Sequence, residues 1–279
     1  MNRARWVCLL VLAAAVRLPT LATNPAPRGD VAEDATVAAG LAAGEGFHMV
    51  WKRGWDFRDR PDDGRFGEFS DHRPPLVAIL GAGLAPLAGN PYRAMQWVSL
   101  LAGLGVVAAV GALFSRRSGP GAGLDAAFLA ALCFPLADYA GNGSLYSLQA
   151  LVFCLWPLAF RSWRTAGDGF RVGLLLGLAW LLNYQNVVLA GGLVITTVLA
   201  ARAAEDASAR RGVWRAAVTA AATALLVALP WLLRNQGLFG TPLYNTNLVY
   251  LADKMGLPFG VGWSEAGGHI LFDVPTPEA

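Results

Sequence analysis

Apolar stretches, separated by breaks that carry Arg or by Gly, Asn and Pro, run at 6–22, 95–115, 122–140, 145–160, 169–184, 186–201 and 214–233. A helix needs about 17–25 residues to cross a hydrocarbon layer of ~30 Å. Most of these runs meet that length, and the pattern predicts seven crossings. The tightest part is 169–201, where Asn183-Tyr184-Gln185-Asn186 must turn the chain between two short spans. Snorkelling of Arg171 and Arg202 lengthens the usable helix there. The expected architecture is an all-α integral membrane protein: a first transmembrane helix in 1–22, a loop over 23–94, a six-helix bundle over 95–233 and a final segment over 234–279.

Charge decides sidedness. With the N-terminus inside, the short inner segments hold eleven arginines, among them Arg3, Arg5, Arg116, Arg117, Arg161, Arg164, Arg171 and Arg202, against only Asp125, Asp168, Glu205 and Asp206, a net +7. The rest of the chain holds eleven basic and fifteen acidic residues, a net −4. That sorting follows the positive-inside rule, and dropping one span would scatter the Arg-rich turns over both sides. The expectation is a cytoplasmic N-terminus, a large extracytoplasmic first loop, and residence in the inner (cell) membrane. Arg17 interrupts the first apolar core, and the exit through Arg17-Leu18-Pro19 reads as an anchor rather than a cleaved signal peptide.

Composition agrees. Hydrophobic residues make up 55% of the 279 and charged residues 15%, against about 25% charged in soluble domains. A soluble globular domain, a disordered chain and a nucleic-acid binder are all poorly matched. Cys8, Cys133 and Cys154 lie in apolar runs without CxxC spacing, so they read as small buried hydrophobes rather than a zinc site or a disulfide framework.

The 23–94 loop holds ten of the nineteen acids, and it is too long for a simple turn. Within it, 30–43 predicts a helix: Asp30 as N-cap, acids in the first turn, and Gly44 as the stop. Val31, Ala35, Ala38 and Leu41 fall at helical spacing, with Glu33 and Asp34 expected to point elsewhere. Residues 74–88 open on prolines and suit a re-entrant or surface-lying helix.

Candidate chemistry concentrates at this loop. Asp30, Glu33 and Asp34 form a dense carboxylate group suited to accepting a proton, although helix capping is the plainer role for Asp30 alone. The spacing matches no known cation loop, so neither a metal site nor a cofactor is expected, a divalent cation being unsupported. The 50–73 stretch alternates charges with aromatics, as an interfacial loop does and as a pocket for sugar hydroxyls and phosphate would. Arg73 before Pro74-Pro75, and Arg234 past the last span, can each grip a phosphate in a bidentate fork or simply anchor at the interface. Asp138, near the outer end of the third span, is an ionisable group of the kind that marks function in membranes. No GxSxG, Walker or HExxH motif occurs. With no charged residue deep within a span, transport is disfavoured.

Gly29-Asp30, then Gly44-Glu45-Gly46-Phe47, then Arg73-Pro74-Pro75-Leu76 and Arg93, together resemble the membrane glycosyltransferases of type C fold. The closer resemblance is to glycosyltransferase family 39, with its bacterial relatives of protein mannosyltransferases and of the lipid A aminoarabinose transferase. Gly173-Leu174-Leu175-Leu176-Gly177-Leu178-Ala179 and Pro230-Trp231-Leu232-Leu233-Arg234-Asn235 extend the likeness. The chain departs from the family pattern at Asp34, Ser147 and Asn183-Tyr184. The resemblance implies a polyprenyl-phosphate sugar donor, an extracytoplasmic lipid, glycan or protein acceptor, and inverting displacement. Asp30 would be general base, with Arg73 or Arg234 holding the donor phosphate. Relatives usually continue with further spans and often an outer domain, so the resemblance implies that the chain is a fragment, a truncated gene product or a degenerate paralogue. The alternative it leaves open is a non-catalytic relative that binds lipid-linked sugar or a partner subunit.

Overall fold

The structure is a computed structural model that describes residues 3–27, 29–47, 74–160, 163–239, 242 and 243. Among them there are helices and no strands. In order they are α1 (Arg3–Thr23), α2 (Asp30–Ala42), α3 (Leu76–Ala88), α4 (Pro91–Ser118), α5 (Pro120–Leu132), α6 (Phe134–Gly141), α7 (Leu145–Ala159), α8 (Ala166–Leu182), a 3₁₀ turn (Tyr184–Val187), α9 (Val188–Arg202) and α10 (Ala207–Phe239). Each of the seven apolar runs lies in this series, α5 and α6 sharing one run. Four helical segments are long and apolar enough to cross a membrane: α1, α4, α10 and the 3₁₀ turn with α9. A fifth is added if α5 and α6, bent by 59° at Cys133, form one span. At 15 and 17 residues, α7 and α8 are shorter. Large apolar side chains such as Val11, Leu101, Leu129, Ile195, Leu226 and Leu233 stand on the outer surface, where lipid rather than water suits them. This is a helical membrane protein.

Local sequence sets the boundaries. Asn90 caps α4 by accepting the Arg93 backbone N–H at 2.8 Å, with Pro91 in the first helical position. Thr165 and Asp168 cap α8 reciprocally. At the end of α2, Gly44 adopts φ +80°, and the Gly44 and Glu45 N–H groups return to the carbonyls of Leu41 and Gly40. That is the Schellman closure, so Gly44 stops the helix as expected. At its start the expectation is corrected: Gly29 is the N-cap and Asp30 the first helical residue, with no side-chain cap bond. The positive φ of Gly29 (+52°) suits glycine there better than any carboxylate residue.

Two apolar clusters form. One gathers α1, α4 and α5 around Leu9, Ala13, Val107, Ala127 and Ala131. The other joins α2, α3, the start of α4 through Met95, α7, α8, α9 and α10. The closest packing is between α8 and α10, along the face of Gly169, Gly173 and Gly177. A Cβ on Gly169 or Gly173 would run into the carbonyl oxygens of Ala216 and Ala220, and one on Gly177 would lie 2.7 Å from Val227 Cβ. Small residues every fourth position let membrane helices approach backbone to backbone. The GLLLGLA segment therefore has a packing reason that is independent of any family.

Arg17 overturns the expectation that no span holds a buried charge. It is fully buried, and its guanidinium donates to the carbonyls of Ala131 (2.8 Å), Ala130 (3.0 Å) and Ala13 (3.2 Å). Pro135 has no N–H to return to Ala131, so the break after α5 leaves carbonyls that lipid cannot satisfy. Arg17 satisfies them, and its positive charge sits at a helix C-terminus where the dipole favours it. Its role is structural. Cys8 corrects a smaller expectation: it is exposed on the surface of α1, whereas Cys133 and Cys154 are half-buried.

Candidate functional site

Contacts fix which helix ends share a side. The Tyr92 hydroxyl donates to the Asn24 carbonyl (3.0 Å), and the Gln96 amide donates to the carbonyls of Asn24 (2.9 Å) and Gly141 (2.8 Å). These bonds gather the end of α1, the start of α4 and the end of α6. Ser99 adds the start of α7 by donating to the Tyr139 and Ser144 carbonyls. Asn183, at the end of α8, donates to Gln149 Oε1 on α7 (3.0 Å). Trp231 Nε1–H donates to the Tyr184 hydroxyl (2.8 Å), joining α10 to the 3₁₀ turn. At the other extremity Arg116, closing α4, donates to the Leu158 carbonyl closing α7 (3.3 Å). The bundle thus has one end bearing α2 and α3 and an opposite end bearing arginine turns.

Asp30 is exposed at the start of α2, and Glu33 is half-buried one turn on. Asp34 departs from its expected placement. It is 2% exposed, on the same inward face as Val31, Ala35 and Ala38. Helical repeat explains this, since Asp34 is three positions after Val31 and four before Ala38. Among the described residues, no group of three or more His, Cys, Asp and Glu is placed to hold a metal ion. Asp138 is half-buried on α6, remote in the chain from α2 and in the region of the Gln96 and Ser99 bonds. Arg73 and the 50–73 stretch lie outside the described residues, as do Arg161 and most of 234–279.

Arg234 is the predicted site residue with the richest surroundings. Its guanidinium lies 4.3 Å from the Trp231 ring centre and 5.3 Å from that of Phe47, within the range of cation–π attraction. Phe47 and Trp231 meet edge to face at 5.0 Å. Arg234 Nη1 donates to Asn235 Oδ1 (3.0 Å). From Trp231 the contacts pass through the Tyr184 hydroxyl to Trp180, whose ring centre is 5.2 Å from that of Tyr184. Next to Tyr184 lies an amide relay: Asn183 to Gln149, Gln149 to Asn186 Oδ1 (3.4 Å), and buried Asn186 to the Ala179 carbonyl (2.8 Å). The guanidinium therefore meets the exit of α2, where Phe47 stands, rather than its Asp30-bearing start.

An apolar groove of ≈ 240 Å³ reaches this cluster. Leu176, Gly177 and Trp180 of α8 form one wall, Val187 and Ala190 a second, and Ala224, Leu225 and Ala228 of α10 the third. Trp180 belongs to both groove and cluster, so an apolar chain lying in the groove would end at rings, amides and a guanidinium. The sequence gives no sign of Trp180 or Gln149, and it marks Phe47 and Tyr184 only as parts of a family motif and of a turn, with no site role. The spacing of Trp231 and Arg234, three residues apart on one helix face, was the available signal for the first contact. No family model, curated protein or solved structure matches the chain.

Proposed function

We propose that the chain is an integral-membrane glycosyltransferase that moves a sugar from a polyprenyl-phosphate donor to an acceptor hydroxyl. It would have seven spans, a cytoplasmic N-terminus and its site at the extracytoplasmic end. The observation that carries this reading is the continuity of the Trp180 groove with the Phe47–Trp231–Arg234 cluster at the end that bears α2. An isoprenoid chain suits a groove walled by Leu, Ala and Gly. A phosphate suits a guanidinium held over two rings. Sugar hydroxyls and C–H faces suit the amides of Gln149 and Asn183 and the rings of Tyr184 and Trp180.

In the proposed reaction the acceptor oxygen attacks the anomeric carbon as the bond from that carbon to the phosphate oxygen breaks. Asp30 takes the acceptor proton, and the polyprenyl phosphate departs with the electron pair, stabilised by Arg234 and Arg73. The configuration at the anomeric carbon inverts. Glu33, Asp34 and Asp138 are candidates for substrate contacts in the same reading.

The test is transfer from labelled polyprenyl-phosphate sugars in membranes. Asp30→Asn is expected to lower turnover by about 10²–10⁴-fold, the usual share of a general base, with expression and insertion unchanged. Unaltered turnover would remove Asp30 from the mechanism. A second reading, a non-catalytic relative that binds lipid-linked sugar, is favoured by the pairing of Arg234 with the exit of α2 rather than with Asp30. It predicts saturable donor binding with no turnover in the wild type.

A further inference from the structure

A second groove, of ≈ 340 Å³, lies on the opposite face of α8 and toward the opposite end of the bundle. Arg171, Leu174, Leu175 and Leu178 supply its α8 side, spaced at helical repeat on one face. Leu155, Leu158 and Ala159 of α7 supply the facing side, and Arg116 from the end of α4 closes the top. Its polar groups are all at one end. Below Arg116 and Arg171 the wall is leucine and alanine for two turns of α8, about 10 Å at 1.5 Å per residue.

Neither arginine is consumed by its partner. Arg116 donates one Nη1 bond, to the Leu158 carbonyl. Arg171 donates through Nη2 to Asp168, and its side chain stays half exposed. A guanidinium has five N–H donors, so both keep donors for an oxygen-rich anion. Phe114 and Phe170, close to them in the sequence, are exposed, as interfacial aromatics are at headgroup level. Two cations above an apolar trough that runs toward the bilayer interior match one partner in charge and shape. Basic pockets between transmembrane helices on the arginine-rich side recognise anionic lipid headgroups.

We propose that this groove is a binding site for an anionic glycerophospholipid. Arg116 and Arg171 hold the headgroup phosphate, and one acyl chain lies between Leu155, Leu158, Leu174 and Leu178. The inference is independent of glycosyl transfer and rests on the other face of α8.

The full chain, placed in nanodiscs of equal phosphatidylglycerol and phosphatidylcholine, would be released into detergent, and its retained lipids counted by native mass spectrometry. One phosphatidylglycerol per chain is expected to persist. R116Q/R171Q should weaken that retention about thirtyfold, at roughly fivefold per arginine near the membrane surface. R211Q/R215Q, two exposed arginines on the same end, should change it less than twofold. Equal retention of the two lipids, or phosphatidylglycerol retention unchanged in R116Q/R171Q, overturns the site. Leu174→Trp leaves both arginines in place but fills the trough, so it separates binding from charge. It should expel the lipid, and continued retention in that variant is equally fatal to the proposal.

Discussion

The two grooves on α8 share a plan and differ in their furnishing. Each has a wall of small and branched apolar residues, on opposite faces of one helix, and each leads to arginine: Arg116 and Arg171 line one groove, while Arg234 is reached from the other through Trp180, Tyr184 and Trp231. At the Trp180 end the guanidinium lies over aromatic rings and the neighbouring polar groups are neutral amides. At the Arg116 end there are two guanidiniums and a carboxylate partner, but no ring or amide lines the trough. The difference separates two kinds of head. Rings and amides suit a polyhydroxylated group whose orientation must be fixed, whereas paired arginines suit a phosphate held by charge alone. On the two proposals, one helix presents two lipid-shaped surfaces, and the side chains at the polar end set a different occupant for each.

The most damaging test of this comparison removes the wall between the grooves. Gly173→Leu places a branched side chain where a single Cβ already meets the Ala220 carbonyl, so α8 must leave α10. Backbone has no rotamer to give way, and the expected outcome is failure to recover folded protein, read as loss of the monodisperse peak in detergent. Gly173→Ala should be milder but still destabilising. Recovery of Gly173→Leu with wild-type stability would mean the two helices do not pack as described.

Next in size is Arg17→Leu, which touches neither groove. It strips the donors from the carbonyls of Ala130 and Ala131 at the α5–α6 break. Each buried carbonyl left unsatisfied costs about 1–3 kcal/mol, so an equilibrium unfolding measurement should register about 2–5 kcal/mol. Whatever folded protein remains should keep both grooves intact, with lipid retention and donor binding per folded molecule unchanged. Arg17→Lys should recover part of the loss, because an ammonium cannot fork across two carbonyls.

Arg234→Gln addresses one groove only. Under the proposed reading it removes the cation from Phe47 and Trp231, and donor transfer should fall by about 10–100-fold in kcat/KM. Phosphatidylglycerol retention at the Arg116 end should stay as in the wild type. A parallel fall in both would merge the two grooves into one property of the fold.

Much of this arrangement was legible beforehand, and the exceptions have physical causes. Periodicity and length located every helical run, and Gly44 announced the end of α2, because these are local signals. The short α7 and α8 and the kink at Cys133 depend on which helices pack together, and no window of sequence contains that. The charge of Asp34 argues for an outward position, but its helical phase, set by its spacing from Val31 and Ala38, puts it inward. Arg17 reads locally as a break at a membrane exit because two of its three carbonyl partners lie more than a hundred residues away. Arg234 was visible as a candidate, but Phe47 and Tyr184, which give it a setting, come from two other elements. A contact among three distant segments leaves no mark in any one of them.

Trp231→Phe is the smallest expected effect and the most discriminating within the cluster. It keeps a ring beneath Arg234 and against Phe47 but deletes the Nε1–H that donates to the Tyr184 hydroxyl at 2.8 Å. A net hydrogen bond contributes about 0.5–1.5 kcal/mol, so donor affinity should drop by roughly two- to tenfold if the bond orients Tyr184 toward the amide relay. In a Tyr184→Phe background the same substitution should have almost no effect, since the acceptor is already gone, and that double-mutant cycle isolates the bond from the ring. Trp231→Ala, which removes the ring as well, should cost clearly more than Trp231→Phe. If the two substitutions cost the same, the indole N–H rather than the cation–ring contact organises this end of α8, and Arg234 would be left acting as a charge alone, as Arg116 and Arg171 do on the other face.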